Sequence, residues 1–348
     1  MMISSSSRWT LLALSLSFAA ASVCSRSLHR LARALTRRRP LSMRTPPRTA
    51  AELAAAQLPL IGDGTAHRPR VAADDARASL LLRHWRADAD ILAALARGES
   101  IRTEPLVYAD EAGAPLYGQL VWADDGTSRR RAGVLLVHTA VGPRDLFLLW
   151  KAEALASLGL AVLLVDMFGD ARGDAWDKEW AAPRRAAYQA DPSLFARRMR
   201  LAHAALAASP LVDGSRCAAL GFCFGGPPVL HYARANPDGL LAAITFHGIL
   251  DAHPPPPTAH GRAPRARFLL CHAKGDPFIP ASAFDACVAQ LEALGARWTT
   301  LVFGGEARHS FTNPAQALNP DAAFAYDAMA ARTSWLAAKD LLRETLLE

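Results

Sequence analysis

Residues 217–234 read CAALGFCFGGPPVLHYAR. The run from Cys217 to Phe222 is apolar, as a strand covered on both faces requires. It ends in Gly221-Phe222-Cys223-Phe224-Gly225-Gly226 and passes into a helical segment expected near 224–235. A nucleophile carried on such a strand-to-helix turn needs small neighbours, because only they let the backbone turn sharply enough to project the reactive side chain. A sulfur at a helix N-terminus is also favoured as thiolate, since the first-turn N–H groups and the helix dipole stabilise negative charge. The amide of Phe224 then points where an oxyanion would form. Two other readings compete. A buried structural Cys in a Gly-rich strand end is one. A dinucleotide-binding turn is the other, but the glycines run G-x-x-x-G-G rather than G-x-G-x-x-G.

Working outward, the same rhythm recurs. Continuous apolar runs predict strands at Ala132 to Val137, Ala161 to Val165, Leu241 to Phe246, Phe268 to Cys271 and Thr299 to Phe303. Helical spacing predicts helices near 144–158, 194–208 and 281–294, and a last one near 321–345. Val107-Tyr108, Gly113-Ala114 and Leu116 to Trp122 read as a β-hairpin, preceded by one or two short helices within 75–97. Strands alternating with helices give an α/β fold, with a mostly parallel central sheet and helices on both faces.

A thiol nucleophile needs a base and an orienting acid, and on such a sheet both follow it, acid before base. The strand at Phe268 to Cys271 runs into Gly275-Asp276-Pro277, exposing Asp276 at a strand's C-terminal end. The last strand runs into a loop containing His309-Ser310-Phe311, long enough to carry His309 back over Cys223. Taken singly, Asp276 reads equally well as a turn residue and His309 as a solvated loop histidine. Their order and strand-end placement favour the catalytic reading.

The stretch from about Ile101 to Leu342 resembles the dienelactone hydrolase family of the α/β-hydrolase superfamily. The shared features are the Gly-Phe-Cys-Phe-Gly-Gly elbow, Phe246-His247-Gly248, Gly275-Asp276-Pro277 and His309-Ser310-Phe311-Thr312-Asn313-Pro314. The resemblance implies an α/β-hydrolase fold and hydrolysis of a carboxylic ester or lactone by a Cys-Asp-His triad, without a cofactor or metal. By motif the triad is Cys223, Asp276 and His309. The sequence departs from the family in two places. Many members carry a Glu in the loop after the first parallel strand, where this chain has Thr139; glutamate-assisted activation of the thiol is therefore absent or replaced. Dienelactone-cleaving members place an Arg four residues after the histidine, where this chain has Asn313. The backbone of Thr139, or of Ala140 beside it, is the expected second oxyanion donor, with Phe224 as the first. His138 lies near that side, and Asp166, which precedes the nucleophile, reads as structural. His247, Arg172 and Ser310 are candidate pocket residues. Arg172 reads more readily as a surface arginine in an irregular loop, and His247 equally as a residue that satisfies loop backbone. The rivals to an ester or lactone hydrolase are an acyl-transferring enzyme acting on a neutral ester, a catalytically silent ligand-binding protein of the same fold and a redox-sensing thiol.

The formal charge of +7 does not point to nucleic acid. Residues 1–50 hold nine Arg and no acid; removing them leaves −2 for residues 51–348, so the body is nearly neutral. The 14-residue apolar run Leu11 to Cys24 is too short to span a bilayer. With the Arg- and Ser-rich segment after it, residues 1–50 read as a cleavable or disordered leader: a signal peptide, an organelle presequence, or both in series. If Met43 is the true start, the chain is cytoplasmic. Residues 51–100 are expected to be a linker and a helical extension, and residues 101–345 the α/β domain. The five cysteines show no C-x-x-C spacing, which argues against zinc and disulfide frameworks. The expected partner is a small-molecule ester or lactone; no signal for oligomeric state is present.

Overall fold

The computed structural model describes residues 75–169, 178–248 and 262–348. The expected leader, the linker start, Arg172 and the four-proline run at Pro254 to Pro257 lie outside the described residues. Two short helices, α1 (Ala76–Arg86) and α2 (Ala89–Ala96), come first. Each starts where an aspartate can accept from its first free N–H groups: Asp75 from Arg77 and Ala78, Asp88 from Asp90 and Ile91. A hairpin follows, β1 (Ser100–Ala109) and β2 (Pro115–Asp124). The chain then alternates through β3 (Arg131–Val137), α3 (Leu146–Ala156), β4 (Ala161–Val165), α4 (Lys178–Ala190), α5 (Ser193–Ala207) and β5 (Val212–Phe222). It closes with α6 (Gly226–Arg234), β6 (Leu240–Phe246), β7 (Arg267–Ala273), α7 (Ala281–Ala293), β8 (Arg297–Phe303) and α8 (Ala328–Leu342).

One eight-stranded sheet results, in the order β1-β2-β4-β3-β5-β6-β7-β8. From β4 through β8 every neighbouring pair is parallel, while β1 and β2 join antiparallel at one edge. Pro105 is tolerated in β1 because that strand has a partner on one side only. The period-2 alternation of β3 divides the core. Val134 and Leu136 belong to the core layer that holds Phe147, Phe222 and Phe246, while Leu135 and Val137 belong to the one that holds Phe195, Leu206 and Leu291. Burying each such side chain contributes roughly 1.5–3 kcal/mol. The chain moves from β3 outward to β4, then returns to lay β5 on the other side of β3. That reversal opens a crevice at the carboxyl ends of β3 and β5, where open α/β sheets bind ligands.

Four elements differ from the sequence expectation; the first, β1, begins at Ser100 rather than near Val107. Helix α4 has no counterpart in that expectation, because Pro183 and the flanking arginines interrupt any apolar stripe. Strand β5 begins at Val212 rather than Cys217; its polar start Asp213-Gly214-Ser215-Arg216 lies at an irregularity in the pairing with β3. Helix α8 begins at Ala328, where the Asp327 carboxylate accepts from the Ala330 N–H at 2.8 Å. Helices α1 and α2 pack into the same core as the sheet. The Trp85 indole donates to buried Glu153 of α3 at 2.7 Å, and the Trp150 indole to Asp88 at 2.8 Å.

Candidate active site

Cys223 stands at the carboxyl end of β5 with φ 54, a left-handed conformation costly for a side chain with a Cβ. The two elbow glycines make it attainable. A Cβ on Gly221 would fall 2.0 Å from the Gly225 carbonyl oxygen, and one on Gly225 would fall 2.7 Å from that of Val137. The Gly-x-Cys-x-Gly spacing is thus a steric requirement of the turn. Of the four non-glycine residues with positive φ among those described, three (Cys223, His247 and Ser310) line one cavity.

The loop after β8 brings His309 over the sulfur. Its backbone is tied to the chain ahead of α8, donating to the Ala323 carbonyl at 3.2 Å and accepting from the Ala325 N–H at 3.3 Å. His309 Nε2 lies 2.9 Å from Cys223 Sγ, and Nδ1 lies 2.7 Å from Asp276 Oδ2. The other oxygen of Asp276 accepts from the Phe278 N–H at 2.9 Å, fixing the carboxylate. Phe278 and Phe324 close over the imidazole, their ring centres 4.8 and 5.5 Å away. Burial opposes ionisation of the Cys223 thiol. The positive His309, its hydrogen bond, and the N–H groups of Phe224 and Ala140 outweigh that penalty and hold the thiol below its ordinary value. Burial likewise opposes the His309 imidazolium, but the Cys223 charge and the Asp276 hydrogen bond raise it. Thiolate and imidazolium therefore support one another.

The loop after β3 meets the sulfur through Ala140 rather than through Thr139. The Thr139 carbonyl lies 2.7 Å from His138 Nδ1 and accepts from the Gly142 N–H at 3.2 Å, while the hydroxyl donates to Asp145 Oδ2 at 3.3 Å. With Thr139 held this way, the next N–H is the one that faces Sγ. Thr139 remains in the cavity wall. A carboxylate does approach this loop, from six residues on. Asp145 is buried in the same wall, caps α3 through the Phe147 N–H at 3.1 Å, and is pushed up by burial to about 6.

The cavity measures about 590 Å³; six aromatic side chains, Phe147, Tyr188, Phe195, Phe224, Phe278 and Phe324, stand in its wall beside polar ones such as Gln189, Gln316, Asn319 and Asp321. His247 and Ser310 line it as expected from the sequence. The His247 ring pairs with the Thr312 hydroxyl at 2.8 Å, and burial lowers it well below the ordinary histidine value, so it is neutral. Asn313 is committed elsewhere: its side-chain oxygen accepts from the Ala315 N–H at 2.9 Å and caps the turn Pro314–Leu318. Arg185 of α4 adds a guanidinium to the wall and donates to the Ala140 carbonyl at 3.0 Å. Sequence reasoning missed Arg185 along with its helix. It also passed over Asp145, whose place before Leu146-Phe147-Leu148-Leu149-Trp150 was a legible helix start. Asp166 uses both oxygens on backbone, accepting from the Tyr117, Phe168 and Gly169 N–H groups. Among the described residues no His, Cys, Asp and Glu cluster suits a metal ion, and no helix is long and apolar enough to cross a membrane.

Known proteins match this architecture. The dienelactone hydrolase family model matches residues 120–346. A solved dienelactone hydrolase-like promiscuous phosphotriesterase from metagenomic libraries is 34% identical; the match covers 71% of this chain and 99% of that one, with a TM-score of 0.63. The dienelactone hydrolase of Anabaena variabilis, at 19% identity and TM-score 0.52 over 71% of this chain and 99% of its own, shares the fold. An uncharacterized protein of Caenorhabditis elegans is 32% identical over 147 residues, 42% of this chain and 91% of its own length. With the α/β-hydrolase sheet in place and the family match spanning it, this chain belongs to the dienelactone hydrolase family and is a hydrolase.

Proposed function

We propose that the protein hydrolyses a carboxylic ester or lactone through a thioester on Cys223. The observation that carries this reading is the continuous line Asp276–His309–Cys223, at 2.7 and 2.9 Å, with the sulfur facing the N–H groups of Phe224 and Ala140. The Cys223 thiolate attacks the carbonyl carbon, and the carbonyl electron pair moves to oxygen, held by those two N–H groups. A positioned donor of this kind is typically worth roughly 3–4 kcal/mol. The tetrahedral adduct collapses, the C–O bond breaks, and His309 Nε2 gives its proton to the leaving alkoxide. Water then attacks the thioester with His309 as base, releasing the acid and restoring the thiolate. Asp276 keeps the imidazole in one tautomer throughout.

The aromatic wall favours an acyl or alcohol portion that is apolar, and Asn313, occupied as a cap, leaves no cation at that position for a substrate carboxylate. A neutral ester or lactone fits better than dienelactone itself. The decisive experiment is a hydrolysis screen of the purified chain with p-nitrophenyl esters and lactones, and Cys223→Ala as control. An aryl phosphotriester belongs in the panel, because the 34% identical solved relative is named a promiscuous phosphotriesterase. The expected result is Cys223-dependent ester turnover, with an acyl adduct on the Cys223 peptide by mass spectrometry. Equal rates in Cys223→Ala would overturn the reading.

A further inference from the structure

One peptide group links the candidate site to a residue outside the triad. The peptide joining Thr139 to Ala140 presents its N–H to Cys223 Sγ, and its carbonyl end lies 2.7 Å from His138 Nδ1. His138 is wholly buried, and its other nitrogen, Nε2, lies 3.2 Å from the backbone N of Met167 just beyond β4. The Met167 N–H can only donate, so Nε2 must accept and the ring proton must sit on Nδ1, aimed at the Thr139 carbonyl. The ring also stacks on Phe224, with centres 5.7 Å apart and planes 16° apart, and meets Phe168 edge-on at 4.5 Å. Phe224 supplies the second N–H on the sulfur. A single imidazole therefore hydrogen-bonds to the peptide of one donor and packs against the side chain of the other.

We propose that His138, as its Nδ1–H tautomer, is a positioning residue that orients and polarises the Thr139–Ala140 peptide as oxyanion donor. A hydrogen bond accepted at a peptide carbonyl draws electron density toward oxygen and strengthens the N–H at the far end of the same group. The bond also fixes the peptide plane, so its N–H faces the sulfur before substrate arrives. Because that N–H already bears on the resting thiolate, His138 acts on thiol ionisation as well as on turnover. Burial pushes the imidazole down to about 4, consistent with a ring that stays neutral through the working range. The inference rests on the reading of Cys223 as nucleophile.

The test is iodoacetamide alkylation of Cys223 against pH, with p-nitrophenyl acetate kinetics, in the full chain and in His138→Phe and His138→Asn. Phe keeps a ring but has no donor; Asn places an amide N–H near the former Nδ1. In His138→Phe the alkylation midpoint should rise and kcat should fall by about tenfold to hundredfold with KM little changed, short of the loss expected on removing a whole donor. His138→Asn should recover most of both. A folded His138→Phe with wild-type alkylation and kcat, or a His138→Asn no better than His138→Phe, would overturn the proposal and leave Cys223 as nucleophile untouched. Failure of Cys223 to label in the wild type would sink both. Should His138→Phe not fold, 15N spectra of the wild-type histidine rings decide: protonated Nδ1 on His138 is expected, and protonated Nε2 overturns the assignment.

Discussion

Cys217 and Cys223 belong to one strand and the turn that ends it, and both are buried, yet their surroundings push the two thiols in opposite directions. Cys217 has carbonyl oxygens of Asp213 and Gly214 at 4.0 and 3.7 Å, and burial drives it up to about 12. The Gly133 N–H lowers Cys217 too little to offset this; Cys223 is also opposed by burial but faces an imidazole and two N–H groups, and ends below its ordinary value. Burial alone does not set the character of a cysteine. The sign of what surrounds the sulfur does, and on β5 that sign changes where the strand gives way to a helix.

The largest effect should come from removing the positive partner. His309→Ala should lower kcat by on the order of 10⁴-fold or more, measured on a p-nitrophenyl ester. The double variant with Cys223→Ala should lose little beyond either single change, because the residues act as a unit; losses that multiply would mean they act independently. Asp276→Asn should cost on the order of 10²–10⁴-fold in kcat, through loss of the fixed tautomer.

Selective labelling tests the thiol contrast directly. Iodoacetamide at pH 7 with peptide mapping should modify Cys223 and spare Cys217, Cys271 and Cys287, all buried in the fold. Preferential modification of any of those three would break the comparison. In His309→Ala the Cys223 alkylation midpoint should move upward, toward the behaviour of Cys217. The smallest effect concerns Asp145, a carboxylate raised to about 6 by burial. Because its folded-state value lies above the ordinary one, its stabilising contribution is complete at low pH and is lost as pH rises through about 6. Asp145→Asn keeps an oxygen for the Phe147 N–H but carries no charge. Its Tm should exceed the wild type by a few degrees at pH 8, against a ceiling of about 3 kcal/mol for a shift of this size, and should match it at pH 4. Equal Tm values at both pH values would show that the carboxylate is relieved by its surroundings.

The buried strands were legible because a strand covered on both faces must read as a continuous apolar run, as Ala132 to Val137 does. That Cys223, Asp276 and His309 meet in space was legible from their order and strand-end placement and from the family's strings. Helix α4 was not, because Pro183 hides its period. Which loop amide meets the sulfur was not legible either. Spacing leads to Thr139 or Ala140 alike, and the choice is made by bonds to His138 and the Gly142 turn, which come from tertiary structure. Arg185 and Asp145 reach the cavity from elements well separated in the chain, and no local pattern announces that meeting.

The left-handed backbone of Cys223, His247 and Ser310 has a consequence for how this protein can adapt. A side chain held in that conformation typically costs on the order of 1 kcal/mol or more. Among the described residues, three of the four side chains held this way thus gather around the candidate nucleophile instead of being spread over the sheet. Selection for heat tolerance would find relief most readily at these positions, where relaxing the backbone also turns the sulfur, or the groups that face it, out of line. Hardier descendants should therefore gain their stability in the outer helices and leave the cavity floor as taut as it is.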